Sequence, residues 1–291
     1  LRCTAALYQS PPQRAIAVRA AASRSGQCYA SPMVKATRLP LGETAMVKRA
    51  WTLLVVSVAV TLALYWIPYG QYLAYPLMLI STLFHELGHG VAAVLMGGNF
   101  HGFYMWSDGS GVAPNSGHYG SAAIGFIAAG GLCGPAVVAA ACFAAARKPR
   151  TARICLGIIG GAMALALILV VKNGFAFAFV GIFAAACLVI ALYTSEQTAQ
   201  LVLVFLAVQL ALSVYSRGDY LFMKEAQTSM GVLPSDTQNM ALALGLPYWF
   251  WGSLCAAFSA AALVVGSWMF LRSARRAGAA RARPPGTYAP L

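Results

Sequence analysis

The chain is poor in charge. Only 9% of its 291 residues are Asp, Glu, Lys or Arg, where an average soluble domain carries about a quarter. Acids are the scarcest, seven against twenty basic residues, and there are four histidines. Cysteine is present but unorganised. Cys3, Cys28, Cys133, Cys142, Cys155, Cys187 and Cys255 are scattered with no C-x-x-C. That pattern implies no disulfide framework and fits small buried hydrophobes. No internal repeat is visible, which counts against a repeat-built transporter. What remains is apolar: 60% of the residues are hydrophobic and the mean hydropathy is +0.70. These values exclude a disordered chain, a coiled coil and an ordinary water-soluble enzyme. They predict an all-α polytopic membrane protein. The formal charge of +13 is not a nucleic-acid footprint. The basic residues lie in the tails and one short loop, where membrane proteins keep them.

Residues 1–45 stand apart. They hold six basic residues and one acid, Glu43, with Pro11 and Pro12. Arg-rich, Ser-rich and acid-poor, they have the composition of an organelle transit segment. The other reading is an over-extended reading frame, because Met46-Val-Lys-Arg-Ala-Trp51 has the form of a membrane-protein start. Under either reading the membrane-embedded unit is 46–272, followed by a basic, unstructured tail at 273–291. The expected location is a bacterial inner membrane, or an organelle membrane if the first 45 residues are a transit peptide.

A membrane-crossing helix needs about 20 apolar residues, and lipid leaves no alternative to helix for runs this long. Such runs occur at Trp51–Pro68, Tyr72–Met96, Tyr119–Ala146, Ile154–Val171, Gly174–Tyr193 and Pro247–Leu271. Leu201–Tyr215 is short for another. Six or seven helices are expected. Gly134-Pro135 should kink the third or open it into a re-entrant hairpin. Residues 216–246 form the longest polar connection. With seven simple crossings, Lys48 and Arg49 fall opposite the clusters at 147–153 and 272–283, so the basic residues give conflicting orientations.

Chemistry resides in the second run. His85-Glu86-Leu87-Gly88-His89 is H-E-x-x-H. On a helix, positions i and i+4 stack on one face, so both imidazoles can reach one Zn²⁺ ion. Glu86 lies about 100° around the helix and would serve as general base towards a water activated by that ion. Ionisable groups inside a span cost of order 2.5–3.5 kcal/mol each on insertion scales, so three within five residues require a function.

The H-E-L-G-H inside an apolar span, the Gly97-Gly98 that follows and the Asp108-Gly109-Ser110-Gly111-Val112 segment resemble the site-2-protease-type intramembrane zinc metallopeptidases, in particular their small bacterial and plant branch. The resemblance covers roughly Met46 to Leu271. It implies a membrane-embedded zinc endopeptidase acting on membrane-associated protein or peptide substrates, with membrane lipid around it. It also implies a short membrane-associated β-hairpin after the motif helix. Asn99–Trp106 alternates aromatics before Ser107-Asp108-Gly109-Ser110, and Asp-Gly is itself a hairpin signal. The edge of that hairpin could pair with an extended substrate.

Zinc needs a third protein ligand. The family takes an Asp from a later helix, commonly in N-x-x-P-x-P-x-x-D-G, which this chain lacks. The small branch tends to carry Ser-Asp after a late polar loop, here Ser235-Asp236. Asp236 is therefore the first candidate, although Ser235 or Asp236 equally suits a plain helix N-cap. Asp219, beside Arg217, is second, and Asp108 in its turn is third. Asn239 could hydrogen-bond within the site. His101 and His118 suit interfacial positions better than ligation. Gly88, Gly90, Gly97 and Gly98 suit close helix approach. Two other function classes remain: a non-catalytic scaffold or chaperone retaining the fold, and an ion or proton transporter using His85, Glu86 and His89 as a relay.

Overall fold

A computed structural model describes residues 43–216 and 220–282. Eight α-helices dominate them: α1 (Glu43–Trp66), α2 (Gly70–Leu95), α3 (Ser121–Ala145), α4 (Pro149–Leu169), α5 (Gly174–Tyr193), α6 (Glu196–Ser216), α7 (Asp236–Leu244) and α8 (Tyr248–Ala282). Six of these, α2 to α6 and α8, are long and apolar enough to cross a membrane. The first apolar run lies in α1. The fold is thus the all-α polytopic membrane architecture expected from composition. The expectations for residues 1–42, for Asp219 and for residues 283–291 fall outside the described residues.

Three details depart from the sequence reading. First, α3 runs unbroken through Pro135, so the third apolar run is one helix and not a re-entrant hairpin. Its proline forfeits one backbone hydrogen bond without ending the helix. Second, α6 is a full 21 residues because it begins at Glu196. Polar Gln200 hides that start in the sequence, yet it is buried and its amide donates to the Ala146 carbonyl at 2.7 Å. Third, α8 continues past Leu271 to Ala282, so the first part of the basic tail is helical.

Two β-hairpins complete the architecture. The first lies between α2 and α3. Its outer rung pairs β1 (Asn99–Phe100) with β4 (Asn115–Ser116), and its inner rung pairs β2 (Tyr104–Met105) with β3 (Gly111–Val112), both antiparallel. The tip closes where Gly109 N–H donates to the Trp106 carbonyl at 3.0 Å. Phe103 and Met105 are fully buried in a cluster with Leu79, Leu83, Met163 and Val180. Main-chain bonds from Phe103 to Val170 and from Lys172 to Phe103, at 2.8 and 3.1 Å, tie this hairpin to the α4–α5 connection. The second hairpin, unforeseen in the 216–246 connection, pairs β5 (Glu225–Thr228) with β6 (Gly231–Pro234). It turns at Gly231, whose φ of 116° lies where side-chain-bearing residues are strained.

The packing of the helix ends fixes the arrangement of faces. Ala50 of α1, Ala146 after α3, Ala152 of α4, Ala191 of α5, Ala199 of α6 and Phe270 of α8 share one buried cluster. The start of α1 and the ends of α3, α5 and α8 therefore lie at one end of the bundle. Both hairpins and α7 lie at the other, because the first is bonded to the far end of α4 and the second and α7 follow the far end of α6. Seven simple crossings do not describe this chain. Helix α2 begins against Leu64 and ends beside the start of α3, so it joins two helix ends on the same side. Lys48 and Arg49 consequently share an end with the 147–153 and 272–276 clusters, and the conflict in basic residues disappears.

Candidate metal centre

The motif helix is held against α3 by missing side chains. A Cβ on Gly88 would lie 2.2 Å from the Gly130 carbonyl oxygen, and one on Gly134 would lie 3.1 Å from the Gly88 Cα. Only small residues permit helix backbones to approach so closely. Gly88 thus acts as the sequence suggested. Gly90 and Gly98 instead make room for the hairpin region: Phe100 fills the space beside Gly90, and Tyr119 that beside Gly98. Gly97, at φ 79°, turns the chain out of α2.

This contact positions His89. Its Nδ1 lies 2.8 Å from the Ile127 carbonyl oxygen in α3. A carbonyl accepts only, so Nδ1 carries the proton and Nε2 presents its lone pair. His85 and His89 rings meet edge to face at a centroid distance of 4.7 Å. Their Nε2 atoms are 3.1 Å apart.

Asp236 arrives from the opposite side of the site. Ser235 caps α7: its Oγ accepts from the Gln238 N–H at 3.1 Å and donates to the Met223 carbonyl at 2.6 Å. Its own N–H donates to the Lys224 carbonyl at 2.9 Å. The cap and the beginning of β5 are thereby locked together, and the next residue projects its carboxylate inward. Asp236 Oδ2 is 3.0 Å from His85 Nε2 and Oδ1 is 3.3 Å from His89 Nε2. Burial alone would push the Asp236 pKa up. Whenever His89 is protonated, its charge, with hydrogen bonds from both imidazoles, outweighs burial and holds the carboxyl well below the usual range; the neutral rings offer their lone pairs to a cation instead.

The donor set fits a small divalent cation. Ligands at tetrahedral corners, each about 2.0–2.1 Å from zinc, stand roughly 3.3 Å apart. The three separations here, 3.0, 3.1 and 3.3 Å, approach that figure. His85, His89 and Asp236 form the one such cluster among the described residues. Two neutral imidazoles and one carboxylate leave a fourth position for water or substrate, as catalytic sites require.

Glu86 is 5% exposed and sits beneath the first hairpin. A Cβ on Gly111 in β3 would lie 2.7 Å from both its Cγ and its Oε1. Thr82, one turn earlier, donates from Oγ1 to the Gly109 carbonyl at 2.9 Å and fastens the hairpin tip over α2. His85 and Glu86 open into a cavity of about 490 Å³, bounded by Ser110 and Gly111 of the first hairpin and by all of β5.

The other candidates lie elsewhere. Asp108 stays in its turn, where Oδ1 accepts from the Ser110 N–H at 2.8 Å and the Ser110 hydroxyl at 2.7 Å. Its Oδ2 accepts from Ser229 Oγ at 2.8 Å, which links the tips of the two hairpins across the cavity mouth. His101 bonds Ser116 Oγ at 2.7 Å, and His118 is exposed. The amide of Asn239 reaches back to the Pro234 carbonyl at 3.5 Å rather than into the centre. Sequence reasoning missed Ile127, Gly131, the contact of Gly111 with Glu86 and the β5–β6 hairpin. The alternation Glu225-Ala226-Gln227-Thr228 ahead of Gly231 carried the signal for that hairpin.

A family model described as Peptidase M50B-like matches residues 55–266, which include every residue of the cluster. No curated protein and no solved structure matches the chain.

Proposed function

Since the chain belongs to the Peptidase M50B-like family of membrane proteins, we propose that it is a membrane-embedded zinc metalloendopeptidase, with His85, His89 and Asp236 as the metal ligands and Glu86 as the general base. The observation that carries this reading is the convergence of the H-E-x-x-H helix and the α7 carboxylate on one point, with donor atoms 3.0–3.3 Å apart. Zinc bound there supplies Lewis acidity, which acidifies a water and polarises a carbonyl. The protein's own groups do the remainder. His89 is held in one tautomer by Ile127. Glu86 faces the same cavity as His85 and is set to take a proton from the attacking water, then to pass it to the departing amine. The cavity suits a short extended peptide, because it runs between the β3 and β5 strands and its volume of about 490 Å³ is in the range of small-ligand sites. Packing of the first hairpin over α2, with β5 lining the cavity beside it, limits water around the reacting groups.

The test uses the full chain purified in detergent, assayed for zinc content and for cleavage of an unfolded reporter polypeptide. One zinc per chain is expected. Glu86→Gln should retain it and lose turnover, because an amide accepts no proton at neutral pH. The His85→Ala, His89→Ala double variant should lose the metal. Full zinc retention by the double variant, or undiminished cleavage by Glu86→Gln, refutes the reading.

A further inference from the structure

We infer that the catalytic cleft opens on the non-cytoplasmic face of the membrane, so that the substrates are extended polypeptide segments presented on that face. The inference rests on the peptidase reading for the word substrate, and on charge and packing for the direction.

The buried cluster that joins Ala50, Ala146, Ala152, Ala199 and Phe270 defines one end of the bundle. Three basic groups gather there from separate parts of the chain. Lys48 and Arg49 lie in the first turns of α1, Arg147 and Lys148 occupy the tight α3–α4 connection with Arg150 at the start of α4, and Arg272, Arg275 and Arg276 follow the apolar part of α8. Arg153 joins them and caps α5, donating to the carbonyls of Ala191, Leu192 and Thr194. Arg272 stacks on Trp268, its guanidinium 4.9 Å from the ring, as an interfacial anchor would. At the opposite end, the described basic residues are Lys172 and Lys224, accompanied by Asp108, Glu225 and Asp236. Short basic loops and flanks stay on the cytoplasmic side during insertion, and acidic residues contribute little to that choice. Here the groups at α1, the α3–α4 connection and α8 agree.

The cleft belongs to the other end. The first hairpin is bonded to Val170 and Lys172 at the far end of α4, and the second follows the far end of α6. Both hairpins, joined by the Ser229–Asp108 bond, therefore lie in the half of the bundle remote from the basic end. A chain segment in the cytoplasm would have to pass the bundle to reach His85. One on the opposite face meets the cleft directly.

Topology can be read without any activity. The full chain is produced in bacterial cells with Cys3 and Cys28 replaced by Ala, and one cysteine is introduced at a time. Met230→Cys lies at the exposed tip of the second hairpin, and Thr151→Cys lies at the exposed start of α4. A membrane-impermeant maleimide applied to intact cells should label Met230→Cys and spare Thr151→Cys, which should react only after permeabilisation. A fluorescent protein that matures only in the cytoplasm, fused after Leu291, should fluoresce. Labelling of Thr151→Cys in intact cells, protection of Met230→Cys until permeabilisation, or a dark fusion overturns the inference. Neither outcome depends on catalysis. A cytoplasmic cleft on an active peptidase refutes only the orientation, and an inert protein with the expected labelling refutes only the peptidase reading.

Discussion

Gly131→Ala should disable the metal centre without altering a ligand. Gly131 faces His89 across the α2–α3 contact, and a Cβ added there would lie 2.2 Å from the His89 Nε2 and 2.3 Å from its Cε1. Ordinary contact between such atoms needs about 3.4 Å or more, so the ring must retreat by roughly 1 Å. Its Nδ1 is tethered to Ile127 at 2.8 Å, which leaves it little freedom to move without breaking that bond. Metal sites tolerate distance errors of about 0.2 Å. A displacement several times larger removes one ligand of three, and a zinc affinity loss of at least about 100-fold is expected, the upper end of what a supporting contact costs. The helix itself should persist, because Ala is favoured over Gly by about 1 kcal/mol in a helix interior. The assay is competition for zinc against a chromophoric chelator in detergent, with helical content followed by circular dichroism. Gly161→Ala in α4 is the matched control, since its Cβ would meet nothing within 4 Å. If Gly131→Ala binds zinc within about three-fold of the parent, the placement of His89 against α3 is wrong, and with it the claim that glycine there has a functional reason.

Three further outcomes follow from the same contacts. Gly111→Ala puts a Cβ 2.7 Å from the Glu86 carboxylate and leaves the three ligand side chains alone; kcat should fall about 100-fold, the scale set by a misplaced reacting group, with zinc stoichiometry retained. Asp236→Ala should abolish stoichiometric zinc while Asp108→Ala keeps it, and equal retention by both would remove Asp236 from the site. Ser235→Ala deletes the α7 cap and the bond to Met223; it should cost about 1 kcal/mol, read as a lowered thermal midpoint of the zinc-free protein, together with weaker zinc binding.

The helices were legible because lipid leaves the backbone no other choice, so apolar length alone predicts them. Failures came where packing overrules local composition. Glu196, Gln197 and Gln200 make the start of α6 look like a loop, but Gln200 satisfies its amide on Ala146 and the helix extends through it. Crossing parity was illegible for another reason. Counting runs assumes that each traverses the bilayer, whereas the relation of α2 to α1 and α3 is set by glycine contacts at Gly70 and Gly88. Such contacts pair residues remote in sequence. The β5–β6 hairpin has strands of only four residues, too few for periodicity to stand out against a polar connection.

The cluster was half legible in the sequence, and the division has a chemical cause. His85, Glu86 and His89 are local: one helical turn specifies their mutual geometry, so spacing is sufficient. The third corner is not local, since 147 positions separate His89 from Asp236, and spacing says nothing about it. In the sequence, Ser235-Asp236 posed a choice between cap and ligand, as if one excluded the other. The folded chain divides the roles between the neighbours. Ser235 takes the cap with its hydroxyl, satisfying the α7 N–H of Gln238 and anchoring to Met223. The adjacent carboxylate turns towards the imidazoles, at 3.0 and 3.3 Å. Asp108 shows the converse. Its carboxylate is occupied by Ser110 and Ser229 in the turn and between the hairpins, and withdrawing it to serve a metal would cost all of those bonds. A serine precedes each of these two aspartates, but only Ser235 opens a helix: there the serine takes the cap and the carboxylate faces the imidazoles, whereas Ser107 lies in a turn and Asp108 itself holds that turn together.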